Sequence, residues 1–379
     1  MKNLPYAKAI YGELEKQAVK RALDSQWLSG YKETVLFERE LAQWWGMKYA
    51  VAVNSGSSAN FIALQSLDLP KGSEIITPAG GAFPTTIAPM VYLNHIPFFV
   101  DIDFLSLCLK AEKKAIGWNT KAIMFAHTLG FMPDMKRLMK LAKRYNLKVI
   151  EDCADAMGST QKGQKAGTFG DLATVSFYPA HMMTTGGEGG AILTNNEDLY
   201  WKCRSIRDWG RDCRCMWLSE VPACGDRFSN PPFDHRYYYT NIGLNFKMTE
   251  MQAAFGREQL KRVNGFIRKR KRNYRILAES MGRYVNDEIV PFAYPMLAEN
   301  KNRKMAELAA KGIHARAIFS GNILAHPAYQ KIEYKGLGEL ENSQKLHEQG
   351  FFVGVAPHLS VEDMEYIAEC LKGGEHESI

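Results

Sequence analysis

At 379 residues the chain is too long for one minimal core and suits a large domain with a smaller one. Hydrophobic content of 46% and charged content of 23% are those of a soluble globular protein, and no apolar run approaches membrane-spanning length. Net charge is +7, but the basic residues are dispersed apart from Arg268–Arg272, and no aromatics are interleaved with that cluster, so nucleic acid is not expected as a partner.

The first residues carry no apolar leader segment, which points to the cytoplasm. Residues 8–25 and 34–45 have the periodicity of amphipathic helices. A strand follows at Tyr49–Val53, and Asn54-Ser-Gly-Ser-Ser-Ala-Asn60 opens a helix over 61–67. Strand, glycine–serine turn and helix start together make an anion site, ahead of the plainer reading as a capped helix. Further strands are expected at 74–77, 96–101, 122–126 and 148–152, with a helix over 132–145. Such alternation predicts an α/β fold with a mainly parallel sheet covered on both faces. Asn54, His127, Asp152 and Ser176 then share one sheet edge, where open α/β sheets bind ligands.

The strand at 173–178 is stopped by Pro179, placing His181 just past its end and before the glycines of Gly186-Gly-Glu-Gly-Gly190. Histidine at such an edge is a candidate acid or base. From about residue 203 to 246 the periodicity breaks. A loop that long is functional or stapled by a cofactor. Thr249–Arg272 is helical again, and its basic cluster reads as a solvated face. Helix over 305–311, strands at 313–318 and 351–355 and a helix over 361–371 make a smaller α+β unit. The expected division is 1–260, with a cysteine-rich insertion at about 203–240, and 261–379.

Seven cysteines in a reducing compartment are not a disulfide framework. Cys213, Cys215 and Cys224 crowd together and suggest a metal or iron–sulfur site. Cys108, Cys203 and Cys370 are expected as small buried hydrophobes.

The turn at 54–60, Glu151-Asp152, Ser176-Phe-Tyr-Pro-Ala-His181, the glycine run and Gly243-Leu-Asn-Phe-Lys-Met-Thr-Glu-Met-Gln-Ala-Ala254 together resemble the DegT/DnrJ/EryC1/StrS sugar aminotransferase family. The resemblance spans essentially the whole chain. It implies a fold type I pyridoxal-phosphate enzyme, with a mainly parallel seven-stranded sheet in the large domain, acting on nucleotide-linked keto sugars. In the family's aminotransferases the position five after the strand serine is the lysine that binds the cofactor covalently. Here that position is His181, whose imidazole cannot form that link. The chain is thus similar to the family's 3-dehydrases, which carry histidine there and use pyridoxamine phosphate.

By the same resemblance His181 moves a proton at the cofactor, and Asp152 holds the proton on its pyridine nitrogen. Gly56, Ser57 and Ser176 match phosphate ligands, and Phe83 matches the aromatic that stacks on the ring. Asn245 matches a residue reaching the neighbouring subunit's cofactor, which implies a homodimer. Arg316, Phe319 and Asn322 resemble the sugar-nucleotide contact segment.

Arg207-Asp-Trp-Gly-Arg-Asp-Cys-Arg-Cys215 resembles the CDP-sugar dehydrase, whose cysteines hold a [2Fe–2S] cluster fed by an NADH-dependent flavin/iron–sulfur reductase. Cys213, Cys215 and Cys224 would be three ligands. The family's fourth falls on Ala154, with Cys153 one position earlier, on the opposite face of an extended chain. Met182 replaces a second histidine, and the glycine run has one residue more than expected. A zinc site or an empty loop are the alternatives at the cysteines. The implied substrate is CDP-4-keto-6-deoxyglucose. The other readings are a cluster-free GDP-4-keto-6-deoxymannose dehydratase using glutamate, and a silent sugar-nucleotide-binding homologue.

Overall fold

The computed structural model describes residues 2–215, 234–372 and 377–378. Its centre is an eight-stranded sheet in the order 49–53, 190–194, 172–176, 148–152, 120–126, 74–78, 96–100, 335–336. Gly190–Thr194 runs antiparallel to both of its neighbours, and the other pairs are parallel. Seven strands match the expected number. The eighth, Lys335–Gly336, has two residues and no periodicity by which a sequence could announce it.

Several elements depart from expectation. Pro84–Tyr92 is a helix despite the internal Pro89, a residue that argues against helix in any sequence reading. Glu197–Arg207 is a helix that buries Cys203, so the irregular stretch begins at Asp208, later than expected. Other helices start earlier or later than predicted: Gly56–Gln65 instead of 61–67, Met135–Tyr145 instead of 132–145, and Glu13–Asp24 instead of 8–25.

Beyond the large sheet lies an antiparallel sheet of four strands, ordered 315–317, 350–354, 293–297, 377–378. The helix Glu250–Ser280 leads to it without interruption, passing through residue 260, the expected division. Thr249 and Gln252 cap this helix reciprocally. Buried Glu250 accepts hydrogen bonds from Tyr31 N, Glu33 N, Thr34 N and Thr34 Oγ1, closing the start of the helix Lys32–Trp45. The 268–272 cluster is not one solvated face. Arg268 and Lys269 are exposed, but Arg270 is buried, because a helix turns one residue in four of such a run toward the core.

Candidate active site

Register brings the polar strand ends to one edge. Thr174 lies opposite Asp152, Ser176 opposite Gly190, and Val53 opposite Gly190. Parallel strands that end together put the turn after 49–53 beside the end of 172–176. The helix Gly56–Gln65 starts there, with Ser55 accepting from Ser58 N at 3.1 Å. Gly56 is pressed on Ser176 so closely that a Cβ would sit 2.6 Å from the Ser176 Cβ. Ser57, beside it, is exposed. A helix N-terminus next to two serines has the donors to hold an anion such as a phosphate.

Asp152 is buried at the end of its strand. Its Oδ2 accepts from Asn60 Nδ2 and Thr86 Oγ1, both at 2.8 Å, and its Oδ1 accepts from Ala154 N at 3.1 Å. Thr174 Oγ1 in turn donates to Asn60 Oδ1 at 2.6 Å. Burial pushes the Asp152 carboxyl up, while the hydrogen bonds from Asn60, Ala154 and Thr86 pull it down. A buried carboxylate with no cation paired to it among the described residues can hold a protonated ring nitrogen. Asn60 lies within the quoted turn at 54–60, yet only the fold shows its contact, and that of Thr86, with Asp152.

His181 is half-buried and its Nδ1 lies 3.2 Å from Asp155 Oδ1. Asp155 is fixed on its other oxygen by Leu129 N at 3.1 Å. Behind the histidine, Arg270 donates to the carbonyls of Ala180 at 2.8 Å, His181 at 2.9 Å and Phe292 at 2.7 Å. Burial pushes the Arg270 guanidinium down to about 10, against the pull of Asp155. Neither Asp155 nor Arg270 stands out in the sequence. The third position after Asp152 is the available signal for the first; nothing signals the second. Met182, where a second histidine would stand, is in the core.

Phe83 is exposed at the start of the helix Pro84–Tyr92, its ring 6.0 Å from that of Phe319. Residues 319–323 lie along 79–83: Ser320 Oγ donates to Ala82 O at 2.7 Å, and Asn322 bridges Gly80. Asn322 is buried and donates to Gln344 Oε1 at 3.2 Å. The exposed Arg316 stands over Tyr6 at 5.3 Å, and Tyr6 meets Phe352, which meets Phe319. Phe83, Phe319 and Asn322 are thus brought together, and Arg316 reaches them only through the aromatic relay.

Asn245 is exposed and bridges Asp208 through the backbone. Lys247, not foreseen, pairs with Asp208 at 2.8 Å and lies over Trp209; burial lowers its pKa.

The cysteines divide. Cys108 and Cys203 are buried as expected, whereas Cys370 is only half-buried. Cys153 is completely buried, beside His127 and Glu151, and burial raises its thiol pKa well above the ordinary value. Cys213 and Cys215 are half-buried and converge with His235, which no sequence motif marks. Cys224 lies outside the described residues. The expected set of Cys213, Cys215, Cys224 and Cys153 is therefore not brought together among the described residues. Cys153 sits on the strand-end face that packs inward.

The model of the DegT/DnrJ/EryC1/StrS aminotransferase family matches residues 10–372. The chain is 37% identical to the lipopolysaccharide biosynthesis protein RfbH of Salmonella typhimurium, over 96% of this chain and 90% of that protein. It is 38% identical to a dTDP-4-dehydro-2,6-dideoxy-D-glucose 3-dehydratase of Saccharopolyspora spinosa, over 88% of this chain and 78% of that one. A solved structure of the E. coli GDP-4-keto-6-deoxy-D-mannose-3-dehydratase with bound hydrated PLP superposes with a TM-score of 0.89 at 29% identity, covering 98% of this chain and 100% of that one. No helix among the described residues is long and apolar enough to cross a membrane.

Proposed function

We propose, from the premise that the chain belongs to the DegT/DnrJ/EryC1/StrS aminotransferase family, that it removes the C3 hydroxyl of a nucleotide-linked 4-keto-6-deoxyhexose using pyridoxamine phosphate. The observation that carries this reading is His181, which stands where a covalent amine would be needed for transamination and is partnered by Asp155 at 3.2 Å. The 3-dehydratases among its relatives support it.

The site fits the cofactor. Asp152 would hold the proton on the pyridine nitrogen, the helix start at Gly56 with Ser57 and Ser176 would hold the phosphate, and Phe83 would cover one ring face. When bound, the cofactor supplies the amine that condenses with the ketone and a ring that accepts electrons. His181 would take a proton at the cofactor's exocyclic carbon and return one to the departing hydroxyl. Asp155, 3.2 Å from Nδ1, would orient its ring once the imidazole takes the proton, and Arg270 holds its backbone. Phe319, Asn322 and Arg316 would face the sugar nucleotide.

Two forms of the reading differ in how the cycle closes. The CDP-linked form uses a [2Fe–2S] cluster and an NADH-dependent reductase. The GDP-linked form takes its amino group from glutamate and needs neither. Cys153 is buried with His127 and Glu151, apart from Cys213 and Cys215, so it does not complete a cluster with them, while the glutamate form calls on none of these cysteines. Exposed Ile242, Leu244 and Tyr239 around Asn245 support a homodimer that shares residues across its sites. The approach of His181 and Asp155 to 3.2 Å supports an enzyme over a silent homologue.

Purified protein loaded with pyridoxamine phosphate should convert a GDP- or CDP-linked 4-keto-6-deoxyhexose to a product lacking the C3 hydroxyl, with glutamate restoring the cofactor. A 4-amino product that keeps its C3 hydroxyl would replace dehydration with transamination. No product and no cofactor binding would leave a silent homologue.

A further inference from the structure

We propose that His326 and His347 are positioning residues: together they clamp the carbonyl of Ser320, and so hold the ring of Phe319 against the space where the sugar would lie. The clamp stands on geometry alone. Its role toward the sugar rests on the dehydratase reading above.

His326 Nε2 lies 2.8 Å and His347 Nδ1 3.4 Å from Ser320 O, and the two half-buried rings meet edge to face at 5.9 Å. A carbonyl oxygen only accepts, so both nitrogens carry a proton. In neutral imidazoles this fixes opposite tautomers, Nε2–H at 326 and Nδ1–H at 347. The two histidines come from different elements. His326 closes the 3₁₀ turn Ile323–Ala325, which Asn322 caps by accepting from Leu324 N at 3.1 Å. His347 stands on the helix Glu341–Gln349, one turn after Ser343. Ser343 donates to Asp101 Oδ1 from N at 2.8 Å and from Oγ at 2.7 Å, and Asp101 directly follows the strand 96–100. The clamp therefore ties residues 319–322 to a helix that is itself fixed on the large sheet.

Phe319 is a residue that needs holding. Its φ is 47°, a conformation uncommon for a bulky side chain and sustained only by its surroundings. Gly321 follows with φ of 59°, and a Cβ there would stand 2.6 Å from His347 Cα, so the helix lies directly against the turn. The Phe319 ring is 6.0 Å from Phe83 and 6.1 Å from Phe292, which is 5.6 Å from His181. It thus completes an aromatic wall running from His181 to Phe83. Under the proposed function those two residues flank the reacting centre, and the wall between them borders the sugar. Released from the clamp, residue 319 can return to negative φ, which swings its ring out of that wall.

The test uses amide isosteres. The glutamine amide nitrogen reproduces Nε2 and the asparagine amide nitrogen reproduces Nδ1, so His326→Gln and His347→Asn should retain the wild-type KM. His326→Asn and His347→Gln misplace the donor. Each should raise KM for the GDP- or CDP-linked 4-keto-6-deoxyhexose about 5-fold or more, the scale of one lost hydrogen bond. Their kcat and their affinity for pyridoxamine phosphate should stay within about two-fold of wild type. Independently of turnover, long-range proton–nitrogen spectra of protein labelled with nitrogen-15 histidine, assigned with the two isosteric variants, should show opposite tautomers above neutral pH. The same tautomer at both positions would overturn the clamp. Wild-type KM in both misplaced-donor variants, or equal losses of kcat and cofactor affinity, would overturn the positioning role. Opposite tautomers in a protein that converts neither sugar would leave the clamp standing and overturn the dehydratase reading, and with it the role toward the sugar.

Discussion

His181 Nδ1 and Asp155 Oδ1 lie 3.2 Å apart, and the same short segment that places Asp155 also holds Asp152 against Asn60 and Thr86. One short segment thus supplies two carboxylates, one beside the imidazole and one that, under the proposed function, would hold the proton on the cofactor's ring nitrogen. Asp155→Asn should leave cofactor binding and thermal stability close to wild type but slow hydrogen exchange at the cofactor's exocyclic carbon. The expected loss is about 10-fold or more, within the about 10²–10⁴-fold that a positioned acid–base group contributes. His181→Asn should lose the whole of that contribution. Exchange measured by NMR in deuterium oxide checks both, and an unchanged rate in His181→Asn would remove it as the proton carrier.

Asp152 gives a dependence on pH. Its folded pKa is raised by burial, so its charged form is disfavoured in the ligand-free protein. For a carboxyl raised in this way, its contribution to stability is complete below the unfolded pKa and is lost as pH rises through the folded one. Bound cofactor with a protonated ring nitrogen requires the ionised form. Cofactor affinity should therefore strengthen as pH rises through the raised pKa, while ligand-free stability falls over the same window. Titrations of affinity and melting temperature against pH, each compared with Asp152→Asn, check this; parallel slopes in the two proteins would assign the effect elsewhere.

Much of this edge is legible in the sequence alone. Asn54–Asn60, Asp152, Ser176 and His181 are each announced by a strand followed by turn residues, a local signal. Arg270 is not, because a charged residue within a basic run looks solvated until the helix is docked against Phe292 and Ala180. Burial of a cation is set by tertiary contacts, and nothing in the run distinguishes it from Lys269. His235 escapes notice for a related reason. It is distant in sequence from Cys213, and only the backbone pairing of Arg211 with Tyr239 brings it near. Cys153 misleads in the other direction: its position beside Ala154 suggests a ligand, but the strand end turns it into the core.

Arg270 should be costly to remove. Three backbone carbonyls lose their donor together in Arg270→Met, and an unsatisfied buried polar group costs about 1–3 kcal/mol. Thermal or denaturant unfolding should show a loss of about 2–5 kcal/mol, allowing for relaxation and water entry. Arg270→Lys restores a charge but not the fork that reaches three acceptors, and should recover only part of this. Equal stability of Arg270→Met and wild type would mean that the carbonyls find other donors.

Gly56 and Ser176 make the sharpest steric prediction. In Gly56→Ala the new methyl would lie 2.6 Å from the Ser176 Cβ, so helix start and strand end must separate. Overpacking of this kind costs about 1–3 kcal/mol, and here it also spreads the phosphate site. Cofactor affinity should fall along with melting temperature. Ser176→Gly in the same chain removes the clashing Cβ and should return most of the stability. It cannot return the hydroxyl, so affinity should stay low. Stability and affinity recovering together would show that Ser176 contributes nothing to the phosphate beyond its bulk.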